Sequence, residues 1–170
     1  MAAFESGVYW IWLQIVFGWG SHRINALVSR FDTAREIYEM SPQDREACRS
    51  FTQSELDMMK QTPVEKALAV YERCKVIGCR VITPEDAEYP ERLRNIYAMP
   101  AVLYVKGSLA GLDKQLIFSM VGTRKCSEYG IRVAALLSRQ LARYGAVIAS
   151  GCASGIDTAC LNGAAHECGG

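Results

Sequence analysis

Two short segments of this 170-residue chain hold the residue types best suited to binding an anion. The first runs Val121-Gly122-Thr123-Arg124-Lys125-Cys126-Ser127-Glu128, after the apolar run Leu116–Val121 and before a helical pattern. Gly122 lets the backbone turn sharply at the end of a strand. Ser127 is placed to cap the helix that follows. A helix N-terminus offers unpaired N–H donors and a partial positive charge, which favours an anion there. Arg124 and Lys125 add full charges beside those donors, and Arg grips phosphate with two parallel hydrogen bonds. The second segment is Ser150-Gly151-Cys152-Ala153-Ser154-Gly155-Ile156-Asp157. Its glycines and small side chains admit close approach of a ligand backbone. Thr123 and Ser154 complete a candidate phosphate-binding set of Gly122, Thr123, Arg124, Lys125, Ser127, Ser150, Gly151, Ser154, Gly155 and Asp157. Asp157 reads foremost as a carboxylate shaping its loop by hydrogen bonds, since no partner for a catalytic role is evident in the sequence.

The elements that must position these loops follow from hydrophobic pattern. Four β-prone runs, Arg80–Thr83, Val102–Val105, Leu116–Val121 and Ala146–Ala149, appear after Lys75. A helical pattern from about Tyr129 to Arg143, with Ala134, Leu137 and Leu141 on one face, separates the last two, and Gly155–Cys168 reads as another helix. Alternating strands and helices predict an α/β, Rossmann-like parallel sheet. Both loops would then lie at the carboxyl edge of the strands, where such sheets bind ligands. Leu116–Val121 is apolar nearly throughout, as expected of a strand covered on both faces.

Residues 1–76 read as helical, so the expected domains are 1–76 and 77–170. Val8–Phe17 is apolar but too short to cross a bilayer, and is expected to be a buried helix. Gly18-Trp19-Gly20-Ser21 should break it and start a second helix, with Ile24, Leu27, Val28 and Phe31 on one face and the turn packed rather than touching DNA. Thr62-Pro63-Val64-Glu65 has the form of a capping box, and Val64, Leu68 and Tyr71 give the next helix its stripe. Pro84–Pro90 reads as a linker.

Composition narrows the function. The net charge is +1, so any anion site must be local and geometric. Seven cysteines without a CxxC pair argue for reduced thiols in a cytoplasm and against a disulfide framework. The spacing of Cys152, Cys160, His166 and Cys168 fits no standard zinc module. The first loop lacks G-x-G-x-x-G, the second strand ends in Ser150 rather than an acid, and GxxxxGK[ST] is absent, which disfavours a dinucleotide and ordinary nucleoside-triphosphate hydrolysis.

Five ordered motifs over residues 79–170 resemble the DNA-processing protein A (DprA/Smf) family. They are Asp86–Leu93 (DAEYPERL), Pro100–Gly107 (PAVLYVKG), Val121–Arg124 (VGTR), Ser127–Gly130 (SEYG) and Ser150–Asp157 (SGCASGID), with Gly163-Ala164 beyond. The helical region is similar, more loosely, to that family's sterile-alpha-motif-like domain. The resemblance implies an extended Rossmann-like fold and a protein of natural transformation that is not an enzyme. It further implies binding of single-stranded DNA, help in loading the RecA recombinase, a homodimer in the full-length form, and no cofactor or membrane. Gly122, Arg124 and Ser127 match the family's first ligand-facing loop, and Ser150, Gly151, Gly155 and Asp157 the second. The sequence departs from the family where Cys160-Leu161 replaces Ala-His, and it ends at Gly170 where the family's sheet continues, as expected of a fragment. The rival expectation is a Rossmann-like nucleotide hydrolase of the phosphoribohydrolase type, whose PGGxGTxxE motif is not present here.

Overall fold

The computed structural model describes residues 5–166, which divide into two compact units between Ala110 and Gly111. The predicted boundary after residue 76 therefore falls inside the first unit. Cys168, one of the four residues weighed as a zinc set, lies outside the described residues.

The first unit is built on helix α1 (Ser6–Phe17), whose residues Val8–Gln14 are all buried, as its apolar run predicts. Burying each large apolar side chain contributes about 1.5–3 kcal/mol, which is what makes so apolar a helix the centre of a core. Around it lie α2 (His22–Val28), α3 (Ala34–Glu39), α4 (Pro42–Ala47), α5 (Gln53–Gln61) and α6 (Val64–Val76). Ile24, Leu27 and Phe31 enter this core, with Val28, Leu68 and Tyr71 packed against it. Gly18 and Gly20, at φ 87° and 64°, turn the chain between α1 and α2, and the Ser21 hydroxyl accepts from the Arg23 N–H. Trp19 does not pack away as expected: it is 76% exposed, with its ring 5.9 Å from that of Tyr104. The predicted capping box at Thr62 is also not formed. Thr62 is buried at the end of α5, where its carbonyl accepts from Trp12 Nε1 at 2.8 Å. The capping box stands instead at Thr52 and Glu55.

Strands β1 (Arg80–Ile82) and β2 (Leu103–Val105) pair antiparallel, with Val81 opposite Tyr104. They form a sheet of their own rather than joining the parallel pair. The reason is non-local: Ala101 and Val102 belong to the helical core, Val81 and Tyr104 pack against it, and the Tyr104 hydroxyl donates to Gln14 Oε1 at 2.9 Å. The stretch 84–90 is no loose linker. Asp86 accepts from the Thr83 N–H and hydroxyl, and buried Tyr89 donates to the Pro100 carbonyl at 2.8 Å. One helical turn, α7 (Glu91–Arg94), completes the return to β2.

The second unit holds β3 (Ile117–Ser119), α8 (Glu128–Arg143), β4 (Val147–Ala149) and α9 (Ile156–Ala165). β3 and β4 are parallel, with Ile117 opposite Val147 and Ser119 opposite Ala149. The helix contact is made by small residues. Ala134 and Ser138 of α8 are buried, while Leu137, expected on the inner face, is 51% exposed. Gly163 of α9 is the reason: a Cβ there would fall on the Ala135 carbonyl and the Ser138 hydroxyl, and 2.9 Å from Ala135 Cα. The two helices thus meet backbone to backbone, and larger side chains are turned outward. Leu116 and Phe118 are exposed, so among the described residues β3 is not covered on both faces.

Candidate nucleic-acid interface

Because β3 and β4 run parallel and end level at Ser119 and Ala149, the two predicted loops leave the same edge of the pair. Met120 N–H donates to the Ala149 carbonyl at 2.9 Å, and the Ser150 hydroxyl returns a bond to the Met120 carbonyl at 2.7 Å. The strand ends are therefore tied to each other before the loops begin.

The loops then interlock. Asp157, on the first turn of α9 and only 5% exposed, accepts from the Gly122 N–H through Oδ1 at 3.0 Å. Gly155, at φ 91°, brings its backbone against the first loop; a Cβ there would lie 2.7 Å from the Arg124 carbonyl and closer still to that of Thr123. Ile156 N–H donates to the Thr123 carbonyl at 3.3 Å. Gly122 is needed for the reciprocal reason: a Cβ would stand 2.6 Å from Ile156 Cβ. Gly151 leaves room for Asp157, whose Oδ2 would be 3.0 Å from a Cβ at that position.

All ten predicted residues thus occur in two adjoining loops, but they divide by role. Four are engaged within the protein. Asp157 and the Gly122 N–H serve one another, Ser127 caps α8 by accepting from Gly130 N–H at 3.2 Å, and Ser150 bridges the strand ends. The Gly122 N–H is thus taken up by a part-buried hydrogen bond, and Asp157 takes the structural role expected for it. Thr123 is partly engaged, its hydroxyl bonding the Lys125 N–H and carbonyl in a local turn. That turn holds Arg124 and Lys125 at its tip, exposed and with no carboxylate partner among the described residues. Ser154 and Gly151 are exposed in the second loop.

Two residues outside the predicted set shape the site. Ile156 fills the space beneath Gly122, and the Thr158 hydroxyl donates to the Ala153 carbonyl at 2.7 Å, closing the second loop onto α9. Their signal was the helix start itself: a β-branched residue directly after Gly155 and a threonine two residues further on. Cys152 adopts φ 55°, a left-handed conformation that non-glycine residues rarely take, at the outer bend of this loop. Electrostatically the interface is a cationic tip above a carboxylate that is buried and occupied. It can hold an anion by side-chain charge and by the N-terminal turn of α8, whose first carboxylate, Glu128, pairs with Arg132 at 3.8 Å.

Comparison with known proteins shows the family to which these loops belong. Residues 80–169 match the family model described as DNA recombination-mediator protein A. A curated relative, DNA processing protein DprA of Bacillus subtilis, is 42% identical over 80 residues, which is 47% of this chain and 27% of the relative. Protein Smf of a Synechocystis strain is 38% identical over 79 residues, 45% of this chain and 20% of the relative. Those matches thus span about a quarter of each curated relative's length. Among solved structures, DNA processing protein A of Streptococcus pneumoniae matches with a TM-score of 0.70 at 21% identity, over 98% of this chain and 56% of that one.

Proposed function

The chain belongs to the DNA recombination-mediator protein A family, and on that premise we propose that its two interlocked loops form part of a groove for single-stranded DNA. The protein would act in DNA processing during natural transformation, aiding the loading of a RecA-type recombinase in the cytoplasm. In the same reading the second unit is the front of a Rossmann-like domain, the helices of the first form a sterile-alpha-motif-like domain, and the full-length form is a homodimer. The role is binding rather than catalysis. No helix among the described residues is long and apolar enough to cross a membrane.

One observation carries this reading. The two cations of the interface, Arg124 and Lys125, are exposed at a turn tip without carboxylate partners among the described residues, while the only acid of the second segment is buried and hydrogen-bonded. Such an arrangement favours a polyanion and offers no free base or nucleophile couple. Phosphates bound by these cations release counterions, so affinity falls as salt rises. Fluorescence anisotropy of a labelled oligonucleotide at two salt concentrations tests it. Single strands should bind more tightly than duplex, and more weakly at the higher salt. Equal affinity for both forms, or no salt effect, overturns the proposal.

A further inference from the structure

Helix α6 ends at Val76 and the chain passes almost at once into β1 at Arg80. Gly78, at φ 64°, takes the left-handed position of this turn. The Cys79 N–H donates to the Cys74 carbonyl at 2.8 Å and the Gly78 N–H to the Lys75 carbonyl at 3.1 Å. These two bonds define a Schellman motif, which folds the residue after the glycine back over the last helical turn. A hydrophobic pair ordinarily occupies the two positions so juxtaposed. Here both are cysteines, so the turn sets residues 74 and 79 side by side. Cys74 is buried and Cys79 half-buried, and both line two cavities of about 630 and 540 Å³. The backbone bonds hold the pair in register, so closure needs no refolding of the helix.

We propose that Cys74 and Cys79 are an oxidisable dithiol site, which takes a low-molecular-weight disulfide as its co-reactant and closes to an intramolecular disulfide. Cys79, the more accessible, reacts first. Its thiol loses a proton, and the thiolate attacks one sulfur of the small disulfide. That S–S bond breaks, and the first small thiolate leaves and takes up a proton. Cys74 then loses its proton and attacks the Cys79 sulfur, displacing the second small thiol. In sum, two protein S–H bonds and one small-molecule S–S bond are exchanged for one protein S–S bond and two small-molecule S–H bonds. Two electrons pass from the protein to the small disulfide. Burial pushes the Cys74 thiol up from its ordinary range, which suits it to the second, intramolecular step, where proximity replaces reactivity. The disulfide would tie the end of α6 to the start of β1.

Peptide mapping of the full chain tests this directly. The protein is equilibrated in mixtures of reduced and oxidised glutathione, remaining thiols are alkylated, and the digest is read by mass spectrometry. Trypsin cuts after Arg73, Lys75 and Arg80, so the disulfide joins Cys74-Lys75 to the peptide of residues 76–80. That joined peptide should accumulate as the mixture becomes more oxidising. Cys74→Ser should instead trap one glutathione on Cys79, and Cys79→Ser should leave Cys74 free. A glutathione adduct that persists on Cys79 in the unsubstituted protein overturns the proposal. So does a pair that stays alkylated while the exposed Cys152 is oxidised. The unsubstituted protein decides the matter even where a variant fails to fold.

Discussion

At the scale of single residues, the candidate interface separates groups that build from groups that remain available. Arg124 is exposed at the tip of the Thr123 turn and has no part in either core. Arg124→Ala should therefore weaken DNA of every sequence by a similar factor, because phosphate contacts position without specifying. Loss of one phosphate contact should also lower the salt slope for single strands by about 0.7. The melting temperature should not move; a sharp drop with binding intact would make Arg124 structural. Asp157 is the opposite case. Its Oδ1 receives the Gly122 N–H, and its removal leaves a partly buried donor unpaired. Asp157→Ala should cost about 1 kcal/mol in urea unfolding and loosen DNA binding through the loop, whereas Asp157→Asn keeps an acceptor and should retain most of both. If Asn and Ala prove equally damaging to binding at unchanged stability, Asp157 acts on the ligand itself.

At the scale of elements, the contact between α8 and α9 depends on what is missing from its side chains. Gly163 has no room for a Cβ against Ala135, and Ser138 is fully buried with its hydroxyl donating to the Ala135 carbonyl at 3.1 Å. Since α9 also carries Ile156 and Asp157, the spacing of the helices sets where the second loop meets the first. Gly163→Ala should force the helices apart, with a loss of about 1–3 kcal/mol, the usual range for overpacking a close contact. Urea unfolding followed by circular dichroism measures it. Unchanged stability would mean that the two backbones can separate freely at this point.

At the scale of the whole molecule, the two units have different kinds of core. The first is held by large buried side chains, and all three tryptophans lie within it, so tryptophan fluorescence follows its unfolding. It also contains a polar clamp. Glu88 pairs with the Arg80 guanidinium, with Oε1 at 2.8 Å from Nη2, and accepts from the Leu109 N–H at 2.9 Å. The Arg80 bonds, then the Leu109 bond, hold its carboxyl down to about 2 from an ordinary 4.5. A carboxyl lowered in the folded state stabilises fully above its unfolded pKa, and that contribution is lost as pH falls through the folded one. The clamp should therefore weaken between pH 4.5 and about 2. Glu55 is lowered as well, its bonds with Arg23 and Thr52 outweighing burial, so some acid sensitivity should survive without Glu88. In Glu88→Gln, the acid-induced loss of stability seen by tryptophan fluorescence should be smaller than in the unsubstituted chain. An identical pH profile would show that the clamp makes no difference.

The apolar first helix, two helix caps and the positions of the two loops were legible in the sequence. Val8–Phe17 is too apolar to lie anywhere but in a core, Ser21 and Ser127 bring their own caps, and Gly155, at φ 91°, marks a turn that favours glycine. These are local signals, set by side-chain period and backbone sterics within a few residues. Tertiary structure decided which strands pair. β1 and β2 are three residues each, and so short a run carries no record of its partner or direction. Their antiparallel pairing follows from Ala101 and Val102 joining the helical core and from Tyr104 reaching Gln14, contacts across as many as 90 residues. The same holds for the interface. Sequence brought the ten residues into view, but the 35-residue span between Gly122 and Asp157 had to close before one became the other's hydrogen-bond partner. Which polar groups are consumed by the fold, and which stay free for a ligand, is a property of that closure, because a donor can be spent only once.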